Sequence, residues 1–134
     1  MNKMRVLFLD DEKELVDNLP AVLEVKGVEV TATRDVKKAI QLLTDFDFDV
    51  VLTDIAMPPA EDMDARDLAY GRTTGIEFVK QLRAIKPDIP VVALTVIRDE
   101  EILKQMRAVG IGWIMHKPEE PQRVLETLEK TIRR

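Results

Sequence analysis

Five short apolar segments recur along this chain, and they restrict its fold more than any other feature of the sequence. Each has the length of a β-strand, and all but the second have the mostly apolar character of a buried one. The predicted strands are residues 4–9, 28–33, 49–53, 89–95 and 111–116. The second segment alternates apolar and polar residues, which is typical of a strand at the edge of a sheet.

Segments with helical periodicity fill the intervals between these strands. Apolar residues recur there every three or four positions, which predicts amphipathic helices over residues 12–26, 35–44, 75–85, 99–109 and 120–133. We expect Val22 in the first helix and Ile132 in the last to face inward. Alternating strands and helices indicate a parallel sheet covered on both faces. Five units are too few for a closed barrel, so the predicted fold is an open, doubly wound α/β sheet.

The composition limits the classes of protein and site to be considered. The chain has 134 residues, 46% of them hydrophobic and 34% charged, which predicts one globular, soluble domain over residues 1–134. It has no cysteine and one histidine, which excludes disulfides and argues against a structural zinc site. A net charge of -5 argues against direct binding to nucleic acid. No apolar stretch or signal-peptide pattern suggests a membrane partner or export, so we expect a cytoplasmic protein.

Charged and hydroxyl side chains follow three of the predicted strands. Asp10 and Asp11 come directly after the first strand, Asp54 after the third and Lys117 after the fifth, while Thr95 closes the fourth. The carboxyl ends of parallel strands meet at one edge of the sheet. The sequence therefore predicts a pocket that holds three acids and one lysine, with Asp54 at its centre.

A divalent cation would make such a cluster of acids possible. Neighbouring carboxylates repel one another, and burial increases the cost of their charge. Mg²⁺ prefers hard oxygen ligands and keeps coordinated water for a phosphate. An aspartate in this setting can act as a nucleophile and form an aspartyl phosphate. The lysine ammonium and the threonine hydroxyl would then contact phosphoryl oxygens.

These motifs resemble those of response regulator receiver domains from two-component signalling, along essentially the whole chain. They are Asp10-Asp11, Asp54-Ile55-Ala56-Met57-Pro58, Thr95 and Lys117-Pro118. Each alone is a weak signal, but the complete set in one strand–helix frame is specific. The resemblance implies a CheY-like, flavodoxin-like (βα)5 fold with strand order 2-1-3-4-5 and helices on both faces.

The resemblance also implies a function and the residues that perform it. Asp54 would accept a phosphoryl group from a histidine kinase or a phosphotransfer protein, with Lys117 and Thr95 contacting that group. The implied Mg²⁺ ligands are Asp10, Asp11, Asp54 and the carbonyl of Ala56. The phosphorylated domain would signal through a downstream protein or a homodimer. It would not be an enzyme beyond its own Mg²⁺-dependent phosphoryl transfer and slow autodephosphorylation.

Simpler interpretations of the same residues remain open from the sequence alone. Asp54, Asp10 or Asp11 would also serve as the N-cap of the helix that follows each strand. Thr95 would serve as a turn residue, and Lys117-Pro118 as a solvated turn. The resemblance further implies a cis peptide bond before Pro118, which would aim Lys117 inward.

The chain departs from the family pattern in the loop after the third strand. Receiver domains usually have a step of four residues from the proline to a glycine, whereas Pro58 and Gly75 lie 17 positions apart. We therefore expect an insert at about residues 59–74 beside the pocket. Its simplest interpretation is a solvated loop. The alternatives are an acidic flap that limits access to Asp54, a further metal ligand, a partner surface and a local helix over residues 64–70.

Two further departures concern the size of a side chain near the pocket and the aromatic residue that often transmits the signal in this family. Val96 stands where the family prefers a small residue, and Ile114 stands where it often has an aromatic one. Trp113 precedes Ile114, so it would face the opposite side of the strand and cannot replace that aromatic. We expect Trp113 to be buried.

Four hypotheses of function are compared. The leading one is a phosphorylatable receiver. A receiver-like interaction module that works without phosphorylation is the alternative, favoured by the insert, Val96 and Ile114. An aspartyl-phosphate hydrolase of the haloacid dehalogenase type is disfavoured, since it needs an acid where Ala56 stands. A nucleotide-binding protein is disfavoured because no glycine-rich loop follows the first strand.

Overall fold

The structure is a computed structural model that describes residues 3–133, except for the side chain of Tyr70. Strands and helices alternate through the described residues. The strands are β1 Arg5–Leu9, β2 Glu29–Thr33, β3 Val50–Thr53, β4 Val91–Thr95 and β5 Trp113–His116. The α-helices are α1 Lys13–Val25, α2 Val36–Asp45, α3 Thr74–Ile85, α4 Glu100–Ala108 and α5 Pro121–Ile132. A short 3₁₀ helix, Ala69–Gly71, precedes α3.

The five strands form one parallel sheet in the order β2-β1-β3-β4-β5. This confirms the predicted fold class and strand order, and it confirms β2 as an edge strand. Every residue of β3 and β4 is buried. Because the inner strands are covered on both faces, they need apolar residues at consecutive positions, which explains their unbroken apolar sequence.

Two apolar layers cover the two faces of this sheet. Leu7 and Leu9 of β1 belong to the layer that includes α2, α3 and α4, whereas Val6 and Phe8 belong to the layer that includes α1 and α5. Successive side chains of a strand point to opposite faces, so β1 contributes to both layers. No helix in the described part of the chain is both long and apolar enough to cross a membrane.

Three residues that we expected to be buried are exposed. Val22 is 43% exposed, Ile132 38% and Trp113 39%. The apolar stripes of α1 and α5 are wider than the surface that the sheet offers them, so their outermost members reach solvent. Trp113 begins β5, and this strand pairs with β4 alone. With no further strand beside it, nothing covers the indole from the edge of the sheet.

The loop between β3 and α3 is fastened to the end of β3 at two points. The Met57 N–H donates to the Gly71 carbonyl at 2.9 Å, and the Gly75 N–H donates to the Ile55 carbonyl at 2.8 Å. Leu68, within the loop, is only 8% exposed. The expectation of a solvated loop is therefore wrong for this part. The expected local helix is limited to the 3₁₀ turn Ala69–Gly71.

Gly75 permits a very close approach of α3 to the strand end that carries Asp54. A Cβ atom at this position would overlap the Asp54 carbonyl oxygen and lie 2.6 Å from the Ile55 Cα. Both neighbours are backbone atoms, which cannot rotate away as a side-chain tip can. Only glycine fits here, and the reason is space rather than backbone angle.

We expect Gly75→Ala to lower the free energy of unfolding by about 3 kcal/mol or more, because the added methyl would displace backbone beside Asp54. Gly27→Ala is the matched control. Gly27 has φ +87 and nothing within 4 Å of its Cβ position. Its substitution adds conformational strain alone, about 1–2 kcal/mol. Urea unfolding of both variants is the measurement, and equal losses would show that the contact at Gly75 is unimportant.

Candidate functional site

The backbone ladder places the acids at one edge of the sheet. Leu9 of β1 is in register with Thr53 of β3. The Asp54 N–H continues this ladder by donating to the Leu9 carbonyl at 2.9 Å. The Asp10 N–H donates to the Thr33 carbonyl of β2 at 3.2 Å. Asp10 and Asp54 are therefore held side by side by backbone bonds that extend past their strands.

The same kind of bond positions Lys117 beside them. Thr95 of β4 is in register with His116 of β5, and the Lys117 N–H donates to the Thr95 carbonyl at 2.9 Å. The peptide bond between Lys117 and Pro118 is cis, as the sequence resemblance implied. The lysine is therefore brought from the fifth strand to the acids of the first and third.

The Lys117 ammonium group lies among three carboxylates. Its Nζ is 2.9 Å from Asp10 Oδ2, 3.0 Å from Asp54 Oδ2 and 3.2 Å from Glu12 Oε2. The contacts with Asp54 and Glu12 have hydrogen-bond geometry. The contact with Asp10 is an ion pair whose angles do not make a hydrogen bond, and it leaves Oδ2 without a hydrogen-bonded partner. The predicted pocket of acids and lysine is therefore present.

Burial and charge shift the pKa values of this cluster. Burial raises the pKa of Asp10, although Lys117 and the donating N–H of Glu12 oppose the rise. Burial lowers the pKa of Lys117, but its contacts with Asp10 and the charge of Asp54 more than offset this, so its pKa lies above the ordinary 10.5. Where the carboxylates are ionised, the contribution of Lys117 to stability is therefore complete below pH 10.5 and is lost as pH rises through its folded-state pKa.

Asp10, Asp11 and Asp54 together fit a metal ion. One carboxylate oxygen of each lies within 4.8 Å of the others. Oxygens that bind one Mg²⁺ ion lie about 3.0 to 4.2 Å apart, since each Mg–O bond is about 2.1 Å, so side-chain movement would bring the three carboxylates into range of a single ion. Asp10 Oδ2 is buried and accepts no hydrogen bond, so its contacts with cations are limited to the ion pair with Lys117 and leave lone pairs for a metal ion. The hard oxygen donors suit Mg²⁺ or Ca²⁺.

Two further predicted site residues, Thr95 and Ala56, do not take part in the ion pairs around Lys117. Thr95 is fully buried, and its hydroxyl oxygen accepts a hydrogen bond from the Ile97 N–H at 3.3 Å. This is the turn role that the sequence left open, and it leaves the hydroxyl hydrogen available. Ala56 is half-buried in the loop after Asp54. Their contacts with a phosphoryl group and a metal ion stay predictions.

Glu12 belongs to the site, and sequence analysis missed it. It was treated as the start of the first helix, whereas its side chain reaches Lys117. The signal available in the sequence was its position directly after Asp10-Asp11, since a third acid there would also lie near the carboxyl edge of the sheet. His116, in contrast, is turned toward the neighbouring loop, where its Nε2 lies 2.9 Å from the Ile97 carbonyl oxygen.

A parallel sheet of this strand order, with helices on both faces, is the flavodoxin-like fold of CheY-like receiver domains. The chain belongs to the response regulator receiver domain family, whose sequence model matches residues 6–129. Receiver domains are parts of two-component systems that act in signalling rather than as classical enzymes, and they interact with histidine kinases and downstream targets.

Individual relatives show the same similarity. The response regulator SaeR of Staphylococcus aureus is 29% identical over 129 residues, which are 96% of this chain and 50% of SaeR. The chain thus spans half the length of that relative. The chemotaxis protein CheY4 of Vibrio cholerae is 28% identical, with a TM-score of 0.81 over 97% of this chain and 99% of CheY4. A CheY-like receiver domain protein from Methanospirillum hungatei shares the fold, with a TM-score of 0.83 at 21% identity, over 98% of this chain and 95% of that one.

We expect Mg²⁺ to bind the native protein and raise its melting temperature, by an amount equivalent to about 2.7 kcal/mol at a concentration one hundred times the Kd. Asp11→Asn should weaken this binding roughly tenfold or more, the effect of losing about 1.4 kcal/mol of attraction to the ion. Asp11 makes no ion pair with Lys117 in the described structure, so the variant leaves the lysine contacts intact.

Asp45→Asn is the control for this metal prediction. It removes the same charge from the exposed last residue of α2. Calorimetric titration with Mg²⁺ is the measurement. Equal affinities of the two variants would contradict a site that includes Asp11.

Proposed function

We propose that this domain accepts a phosphoryl group on Asp54 from a histidine kinase or a phosphotransfer protein in the cytoplasm. The observation that carries the proposal is the position of Asp54 between the lysine and the other acids. Asp54 is 4% exposed, its Oδ1 accepts from the Ile55 N–H at 2.6 Å, and its Oδ2 lies 3.0 Å from Lys117 Nζ. One carboxylate oxygen is thus oriented by backbone while the other faces a cation.

The reaction that follows is a transfer to Asp54. An Asp54 oxygen forms a bond with phosphorus as the P–N bond of the phosphohistidine breaks, and the electron pair leaves on the imidazole nitrogen. Bound Mg²⁺ would supply charge neutralisation for the phosphoryl oxygens. Asp10, Asp11, Asp54 and the Ala56 carbonyl would hold the ion. Lys117 would move from carboxylate to phosphoryl oxygen, and the Thr95 hydroxyl would donate to another.

The output of the phosphorylated domain is proposed to be a protein contact, with a downstream target or a second copy of the chain. Ile114, where an aromatic residue is frequent in the family, is partly buried against the layer of α2, α3 and α4. Trp113 is 39% exposed on the edge strand, so it is available to a partner. A receiver-like module that binds partners without phosphorylation is the second candidate. Ile114 and the long loop between β3 and α3 favour it.

We expect Mg²⁺ and acetyl phosphate to add one phosphoryl group to the native protein, seen by intact-mass spectrometry. Asp54→Asn should show no such adduct, because an amide is a far weaker nucleophile than a carboxylate. Asp45→Asn, which carries the same substitution on the surface, should react as the native chain does. Absence of an adduct on the native protein, with the fold intact, would favour the phosphorylation-independent module.

The loop over residues 59–73 is proposed to limit access to Asp54. Deleting these residues should then speed both phosphorylation and loss of the phosphoryl group, measured with radiolabelled donor. Leu68 and Met63 pack on the core, so the melting temperature of the variant must be measured first. The conservative control Leu68→Met keeps the loop and should keep the native rates. Unchanged rates in a folded deletion variant would count against a role in access.

A further inference from the structure

We propose that Glu12 is a positioning residue that selects phosphodonors by their charge. It would do so by holding Lys117 at the mouth of the pocket and by repelling doubly negative donors. This inference rests on the proposed phosphorylation of Asp54 and deepens it, because it concerns which donors reach that carboxylate.

The local geometry of Glu12 separates it from an ordinary helix-capping residue. Glu12 occupies the N-cap position of α1, yet its side chain accepts no hydrogen bond from the N–H groups of the first turn. Its Oε2 instead accepts from Lys117 Nζ at 3.2 Å, across 105 positions of sequence. A residue that only began the helix would have no reason to contact the lysine that follows β5.

Glu12 is the outermost carboxylate around Lys117. Its side chain is 55% exposed, whereas those of Asp10 and Asp54 are 0% and 5% exposed. It also makes the longest of the three contacts. Solvent therefore screens the contact between Glu12 and Lys117 more than the two buried contacts.

Three carboxylate oxygens surround the ammonium nitrogen at 2.9, 3.0 and 3.2 Å, and those of Asp54 and Glu12 accept hydrogen bonds from it. A phosphoryl oxygen that binds Lys117 at the same place would displace one of the three. Asp10 and Asp54 are buried and would lose an ion pair without gaining water, which is costly. Glu12 can turn into solvent at little cost, so it is the carboxylate that gives way.

The charge of Glu12 would then act on the donor itself. A carboxylate at the rim lies well within the Debye length, about 8 Å at physiological salt, of any group entering the pocket. It opposes a donor in proportion to the donor's negative charge. Acetyl phosphate arrives as a dianion, whereas the ammonium group of phosphoramidate cancels part of its charge. Glu12 should therefore disfavour the first donor more than the second.

Both donors deliver the same group to Asp54, so their rates can be compared directly. With acetyl phosphate, the new bond from Asp54 oxygen to phosphorus forms as the P–O bond breaks, and the electron pair leaves on acetate. With phosphoramidate, the P–N bond breaks and the electron pair leaves on nitrogen, which departs as ammonia.

The test measures the Asp54 adduct formed from each donor, with Mg²⁺ at saturation for each variant and at two ionic strengths. Glu12→Gln should raise the rate with acetyl phosphate by roughly three- to tenfold at low salt, and the rate with phosphoramidate by less. The gain should shrink at high salt because it is electrostatic. Glu12→Asp keeps the charge and should retain most of the native preference between donors.

Glu14→Gln is the matched control, since it removes the same charge from an exposed position of the same first turn. It should leave the ratio of the two rates close to native. Equal ratios in Glu12→Gln and native protein, both folded by circular dichroism and both phosphorylated, would overturn the role of Glu12 alone. No adduct on the native protein with either donor would overturn this inference together with the proposed function.

Discussion

The ammonium group of Lys117 allows two neighbouring carboxylates to be buried at the carboxyl edge of the sheet. Asp10 and Asp54 are almost completely removed from water, and two neighbouring buried carboxylates without a partner would cost several kcal/mol. Lys117 lies within 3.0 Å of both. One positive charge cannot balance the three aspartates of the cluster, so the site keeps an attraction for a divalent cation even with the lysine in place. The lysine and a bound cation would thus both reduce the repulsion among the same three aspartates.

The charged residues of this cluster come from distant parts of the chain. Backbone hydrogen bonds, rather than side-chain contacts, bring them together. The N–H groups of Asp10, Asp54 and Lys117 each bond to the carbonyl of the neighbouring strand's last residue. Each functional side chain therefore takes its position from the rigid sheet. Small differences in side-chain packing elsewhere would shift it little, which suits a site whose function depends on a few tenths of an ångström.

The sequence predicted the parts of this structure that depend on repeating patterns. The unbroken apolar run of β3 and the charged residues after β1, β3 and β5 were enough to predict the sheet and the acidic pocket. Val22 and Trp113 were misplaced because periodicity shows which residues share a face, but not how far a neighbouring element extends over it. Glu12 was missed because its contact spans almost the whole chain, and no local pattern encodes a pairing at that distance. The loop after Asp54 has no apolar periodicity, so the burial of Leu68 could not be foreseen.

The two hydrogen bonds that close the loop between β3 and α3 determine what this loop can become. Since Met57 bonds to Gly71 and Ile55 to Gly75, the two ends of the intervening segment already meet, whatever lies between them. The entropy cost of lengthening such a closed loop rises only with the logarithm of its length, by about 0.6 kcal/mol for each doubling. Residues can therefore be gained or lost between these anchor points over evolution without disturbing Asp54. In this segment the chain can acquire a new surface at a small cost in conformational entropy.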